Sequence, residues 1–267
     1  MIKIIFSDMD GTLLTSENKL PEGFDEMIAF LKSRGVIFSP ASGRQYYSLL
    51  KTFSKYADDF LFLGDNGTLV MQGSKEIFSI PVEISVVENV LKVTDTFKNI
   101  LRVWCGKKNA YILKSQNLPE YTVELEKYYT RTIAVNDWNE IDDTPIKVAF
   151  FDGTGHAEEN IYNNLAEFHD AQQVVLSSDY WVDVSAKNAS KGAAVKEIQR
   201  ILNIKPIECA AFGDFMYDYE MLQAVDYSFA MENAYPEIKK VAKFETLSND
   251  NFGVIAGIKK LVAEGLI

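Results

Sequence analysis

Apolar positions along the chain follow two alternating rhythms from the start. Ile2 to Ser7 is a short β-branched run that meets a glycine-containing turn, which fits a strand buried on both faces of a parallel sheet. Phe24, Met27, Ile28 and Leu31 then recur at i, i+3, i+4 and i+7, a helical stripe, with Gly35 placed to cap its end. Val36 to Phe38 reads as a second strand, Tyr46 to Phe53 as a second helix and Phe60 to Leu63 as a third strand. Gly64-Asp65-Asn66-Gly67 turns the chain into Thr68 to Met71 and Lys75 to Ser79, a predicted hairpin ended by Pro81. Such β and α alternation predicts a parallel sheet with right-handed crossovers.

From 82 to 185 the rhythm changes. Helical stretches at Ile84 to Phe97 and Glu158 to Phe168 lie among strand-like runs at Leu101 to Cys105, Ala110 to Leu113, Lys147 to Phe151, Gln173 to Leu176 and Trp181 to Val184. This mixture predicts an α+β insert with an antiparallel sheet. The βα rhythm then resumes: Ala194, Val195, Ile198, Ile201 and Leu202 form a helix stripe, Ile207 to Phe212 a strand, Met216 to Ala224 a helix, Tyr227 to Met231 a strand and Phe252 to Glu264 a closing helix. The fold class expected is α/β: a Rossmann-like core of residues 1–81 plus 186–267, with an α+β cap of 82–185 set into it.

Composition narrows the class without changing this picture. The 267 residues are 47% hydrophobic and 24% charged, the balance of a globular chain with a sizeable core. The net charge of −11 and scattered lysines and arginines argue against a nucleic-acid partner, which needs clustered cations. The start of the chain lacks the pattern of a secretory signal, and no run approaches the roughly 18 apolar residues of a membrane span, so a cytoplasmic protein without membrane contacts is expected. Cys105 and Cys209 stand far apart without a CxxC spacing, which predicts two buried thiols rather than a disulfide or zinc site. A monomer or small homo-oligomer is expected.

The candidate chemistry begins just past the first strand, at Asp8-Met9-Asp10-Gly11-Thr12-Leu13-Leu14, where open α/β sheets bind ligands. Carboxylates at i and i+2 of an extended segment project to one side, so Asp8 and Asp10 can share a divalent cation or divide attack and proton transfer. Hard oxygen ligands of this kind suit Mg²⁺, and an aspartate can attack phosphorus. A polar surface turn is the plain alternative. A calcium loop is excluded because Gly11 comes fourth rather than sixth and no Glu completes it.

The run DMDGTLL resembles the first motif of the haloacid dehalogenase superfamily, and three further motifs follow in the family's order over nearly the full length. The large insert between the second and third is similar to the cap of the Cof-type phosphatases. The resemblance implies that Ser42, with Gly43 and Arg44 of Ala41-Ser42-Gly43-Arg44, binds the transferring phosphoryl group. It implies that Lys191, at the head of a helix, offsets negative charge on Asp8 and phosphate. In Gly213-Asp214-Phe215-Met216-Tyr217-Asp218 it makes Asp214 a metal ligand and Asp218 the residue that orients Lys191 or a metal-bound water; Tyr217 departs from the family's usual Asn. Asn66 and Asn233 match segments that line the same cavity in the family, and each reads equally well as a turn asparagine.

What the resemblance implies as a whole is a Mg²⁺-dependent phosphatase acting on a small phosphorylated metabolite through an aspartyl phosphate on Asp8. Asp10 would be acid and then base, and Asp8, the Asp10 main-chain carbonyl and Asp214 would hold the metal. Two other readings stay open at this point. One is a phosphosugar mutase resembling phosphomannomutase; the other is a catalytically weakened phospho-ligand-binding protein, suggested by Tyr217. The cap would close over the core and choose the substrate, with Arg102, Lys107 and Lys108 as candidate anion contacts or ordinary solvated cations.

Overall fold

The computed structural model describes residues 1–267. The chain forms two compact units, Met1–Ile77 with Ser190–Ile267, and Phe78–Ala189. In chain order the first unit opens with β1 (Ile4–Asp8), α1 (Phe24–Ser33), β2 (Ile37–Ala41), α2 (Tyr46–Thr52), β3 (Phe62–Gly64), β4 (Leu69–Gln72) and β5 (Lys75–Ser79). The second holds α3 (Ile84–Val93), β6 (Ile100–Gly106), β7 (Ala110–Leu113), α4 (Pro119–Tyr128), β8 (Thr132–Val135), β9 (Pro145–Asp152), α5 (Ala157–Asn160), β10 (Gln172–Leu176) and β11 (Trp181–Ala186). The first unit is completed by α6 (Lys191–Leu202), β12 (Cys209–Gly213), α7 (Tyr219–Gln223), β13 (Tyr227–Ala230), α8 (Pro236–Val241), β14 (Phe244–Glu245) and α9 (Gly253–Ala263).

The first unit is built on an eight-stranded sheet in the order β14-β13-β12-β1-β2-β3-β4-β5. Its strands run parallel from β14 to β3, and β4 turns back antiparallel to β3. β1 is central and buried at every position, as a strand covered on both faces must be. Phe24, Met27, Ile28 and Leu31 of α1 are buried, so the helical stripe faces the core. In α6 the stripe is narrower than its sequence pattern: Ala194, Val195 and Ile198 are buried, whereas Ile201 and Leu202 are each 40% exposed in the last turn.

The second unit has a six-stranded sheet in the order β10-β11-β9-β6-β7-β8. It is mixed rather than wholly antiparallel, because α4 carries the chain from β7 to a parallel β8. The expected helix from Glu158 to Phe168 is broken into α5 and a 3₁₀ segment, Tyr162–Phe168. Asn164 there donates through Nδ2 to the Glu159 and Asn160 carbonyls, competing with helical hydrogen bonds. Both cysteines are buried free thiols. No helix is long and apolar enough to cross a membrane.

Candidate active site

The motif residues converge because neighbouring parallel strands end side by side. Asp8 is the last residue of β1, Ser42 follows β2 and Asp214 follows β12, on either side of β1 in the sheet. Lys191 is the first residue of α6, whose N-cap Ser190 accepts from the Ala193 amide. A cation at a helix N-terminus is opposed by the helix dipole, so Lys191 needs nearby anions. It has two: Nζ donates to Asp8 Oδ1 at 2.5 Å and to Asp218 Oδ1 at 2.7 Å.

Lys191 and Asp218 are almost wholly removed from water, with side-chain exposures of 3% and 0%. The second oxygen of Asp218 accepts from the Asp214 and Phe215 amides at 3.0 and 3.2 Å. Asp218 thus fixes both the ammonium and the turn that carries Asp214. Tyr217 leaves these bonds intact; its ring stacks beside Phe215 with centroids 6.2 Å apart.

Charge crowding perturbs the group. Burial, followed by the negative charge of Asp218, raises the Asp8 carboxyl well above the usual carboxylate range, against the lowering influence of Lys191. Burial pushes Asp214 up to about 6, opposed by a hydrogen bond from Thr12 and reinforced by Asp218. Burial would pull Lys191 down, but the charges of Asp218 and Asp8 hold it above its ordinary value.

Carboxylate oxygens of Asp8, Asp214 and Asp218 lie within 4.8 Å of one another. Gly11, at φ 80°, stands where a Cβ would press into the Asp214 carboxylate, so the first-motif turn leaves room for this group only with glycine. Concentrated hard oxygen donors, whose burial and crowded negative charge raise the Asp8 and Asp214 carboxyls, fit a divalent cation such as Mg²⁺. Because both oxygens of Asp218 are committed to Lys191 and amides, Asp8 and Asp214 are the side chains with capacity for it.

The Asp10 side chain lies elsewhere. Arg44 donates from Nε to Asp10 Oδ2 at 3.0 Å and from a terminal nitrogen to Oδ1, a bidentate fork. Asp10 remains 49% exposed. Ser42 is buried, and its Oγ accepts from the Arg44 amide at 3.2 Å. The loop is pinned by the Asp65 amide donating to the Arg44 carbonyl and the Asn66 amide to the Ser42 carbonyl, each at 2.9 Å. A Cβ on Gly43 would stand 3.2 Å from the Asn66 side-chain amide, so Asn66 is packed against this loop. Asn233 is engaged within the protein at both ends of its amide: Nδ2 donates to the Gly11 carbonyl at 2.8 Å and Oδ1 accepts from the Asn249 amide at 3.2 Å.

Thr12 was legible only as part of the first motif, without a task of its own. Its Oγ1 donates to Asp214 Oδ1 at 2.6 Å across 202 positions of sequence, and it is buried. Orienting partners of metal ligands are worth about 10- to 100-fold in affinity. Thr12→Val, which keeps the shape and removes the donor, is expected to weaken Mg²⁺ binding by about tenfold or more, and Thr12→Ser to restore most of it. Calorimetric titration measures this; equal affinities in all three proteins would show that Thr12 has no hold on the ligand.

A family model described as haloacid dehalogenase-like hydrolase matches residues 5–258. The chain is 30% identical over 266 residues to a 5-amino-6-(5-phospho-D-ribitylamino)uracil phosphatase of Escherichia coli, covering 98% of this chain and 96% of that protein. It is 24% identical over 288 residues to a Bacillus subtilis phosphatase, covering 98% and 100%. A solved structure from Eubacterium rectale superposes with a TM-score of 0.87 at 24% identity, over 97% of this chain and 99% of that one, which shows a shared fold. The carboxylates and lysine gathered at the strand ends therefore belong to a known enzyme framework: the chain is a member of the haloacid dehalogenase-like hydrolases, among their Cof-type phosphatases.

Proposed function

We propose that this protein is a Mg²⁺-dependent phosphatase that hydrolyses a small phosphorylated metabolite through an aspartyl phosphate on Asp8. The observation that carries the reading is Lys191 held between Asp8 and Asp218 beside Asp214. Asp8 would attack phosphorus with the oxygen that Lys191 does not occupy, forming the acyl phosphate as the ester P–O bond breaks. Lys191 offsets the charge that gathers on the transferring group, and the Ser42 hydroxyl with the Gly43 and Arg44 amides orients it. Asp10 gives its proton to the departing alkoxide, then takes one from the water that attacks phosphorus and returns Asp8 as a carboxylate.

The Asp10 part requires release from the Arg44 fork, since the guanidinium occupies both carboxylate oxygens. A substrate phosphate is the natural competitor for that guanidinium, which makes Arg44 a substrate contact in this reading. Mg²⁺ would be held by Asp8, Asp214 and the Asp10 main-chain carbonyl, and when bound it supplies positive charge to the phosphate oxygens.

Turnover of p-nitrophenyl phosphate is expected with Mg²⁺ and lost in EDTA. Undiminished turnover in EDTA would remove the metal from the proposal. The pH dependence of binding follows from Asp214: burial pushes its folded carboxyl up to about 6 from an ordinary value of 3.8, so its charge disfavours the metal-free fold. That penalty fades as pH falls through 6, and so does the site's hold on a cation. Mg²⁺ affinity should therefore drop up to about tenfold per pH unit below 6 with proton release on binding. An affinity constant from pH 5 to 8 would contradict this.

A mutase would instead pass the phosphoryl group to a second sugar phosphate and depend on a bisphosphate activator. A binding-only protein would retain a phospho-ligand without turning it over. Interconversion of glucose 1-phosphate and glucose 6-phosphate, followed with and without glucose bisphosphate beside the p-nitrophenyl phosphate assay, separates the three. Substrate choice is proposed to reside in the cap, residues 82–185.

A further inference from the structure

We propose that Asn249 is a positioning residue for the first-motif turn, acting with Asn233 as a clamp that aims the Asp10 main-chain carbonyl before a cation arrives. The inference rests on the Mg²⁺-dependent reading above, and every residue in it belongs to the first unit, Met1–Ile77 with Ser190–Ile267. A side-chain ligand swings onto a metal by rotating its own bonds. A main-chain carbonyl has no such freedom, because the peptide is planar and its direction is set by the backbone on either side. Of the three groups proposed to hold Mg²⁺, the Asp10 carbonyl is therefore the one that surrounding residues must place.

Both flanking peptides are pinned. Before Asp10, the Met9 carbonyl accepts from the Leu14 amide at 2.8 Å, and Leu14 pairs with Asp10 in a β-bridge. After it, the Gly11 carbonyl accepts from Asn233 Nδ2. Asn249 completes both arms at once. Its Nδ2 donates to the Leu14 carbonyl at 2.9 Å, and its main-chain amide donates to Asn233 Oδ1 at 3.2 Å. The second bond fixes which end of the Asn233 amide is the acceptor, so that its nitrogen faces Gly11. Next in the chain, Asp250 accepts from the Ser16 amide on one oxygen and from the Ser16 hydroxyl on the other, each at 2.7 Å.

The clamp stands on a fixed base. Asn249–Asn251 is a 3₁₀ segment between β14 and α9. Thr246 ties that segment down: its amide donates to the Ala230 carbonyl at the end of β13 at 3.0 Å, and its Oγ1 to the Gly253 carbonyl at 2.7 Å. Asn249 is only 7% exposed, and a buried amide is tolerated when its hydrogen bonds are made. Loop carbonyls at a protein surface ordinarily turn to water. Those of Gly11 and Leu14 are held instead by asparagines 222 and 235 positions away, which is how a ligand-bearing turn is set in advance of its ligand.

Calorimetric titration of Mg²⁺ into metal-free protein tests the clamp without relying on turnover. Asn249→Leu keeps the branched shape and removes the donor to Leu14. Asn233→Ala removes the other arm at an exposed position, and it decides the matter should Asn249→Leu not melt as one cooperative unit. Thr246→Val is the control, since it loosens the same segment and leaves every bond to the turn in place. Both clamp variants are expected to bind Mg²⁺ about tenfold or more weakly, the size of effect that orienting partners have. Thr246→Val is expected to bind like wild type even as its Tm falls. Wild-type affinity in either folded clamp variant, or an equal loss in Thr246→Val, overturns the positioning role. A wild type that takes up no Mg²⁺ would instead overturn the metal reading and this inference with it.

Discussion

Asp8→Asn is expected to lower turnover by a factor on the order of 10⁴ or more while leaving the metal-free protein at least as stable as wild type. Loss of a nucleophile has effects of this size or larger where catalysis is covalent. The stability half follows from the site's electrostatics. Burial and the neighbouring Asp218 raise the Asp8 carboxyl, which means the ionised form is disfavoured in the folded state relative to the unfolded chain. That cost is present above the raised value and disappears as pH falls through it. Asparagine removes it at every pH and keeps an oxygen able to accept from Lys191, so a melt in EDTA at neutral pH should show an equal or higher Tm. Activity surviving in pure Asp8→Asn protein would eliminate the aspartyl phosphate. A markedly lower Tm would mean that the charge serves the fold as well as the chemistry.

Such opposed effects are what a site assembled for chemistry should give, and they bear on how much of it was legible beforehand. The strand that delivers Asp8, the α1 stripe and the alternation of the core could be read from local periodicity, because burial on both faces and on one stripe leaves a regular imprint. Motif order then paired residues that no local rule connects. The contacts made by their side chains had no such imprint. Thr12 on Asp214 and Arg44 on Asp10 join positions 202 and 34 apart, and hydroxyls and guanidinia at turns look alike whether or not they touch a distant carboxylate.

The cap was legible in outline and less so in detail. Strand β8 and helix α4 escaped because α4 buries only Leu125 and leaves Val123 exposed, which is too thin a stripe to register as a helix. With α4 unseen, the parallel β7–β8 pair could not be inferred and the sheet read as antiparallel. Lys147 was absorbed into a strand pattern, since alternation reports which face a residue occupies and not whether a charge there is buried.

Lys191→Met should be the most damaging single change to the fold at the site. Removing the ammonium leaves Asp8 and the fully buried Asp218 without their shared cation. Breaking a buried ion pair from one side costs about 3–5 kcal/mol, because the remaining charge keeps its desolvation penalty and loses its partner. Methionine fills similar volume, so the loss would be electrostatic rather than a cavity. The sign with pH separates the two: wild-type Lys191 stays charged up to and beyond its ordinary value, so its contribution is constant between pH 5 and 8. Without it the lowering influence on Asp8 is gone, the carboxyl climbs further, and acidification neutralises it. The variant should therefore regain stability between pH 8 and 5 by more than wild type does, and Mg²⁺ should raise its Tm by more as well. A deficit in Tm that is the same at pH 5 and pH 8, and the same with and without Mg²⁺, would assign Lys191 a packing role and take the charge-balancing argument away from this site.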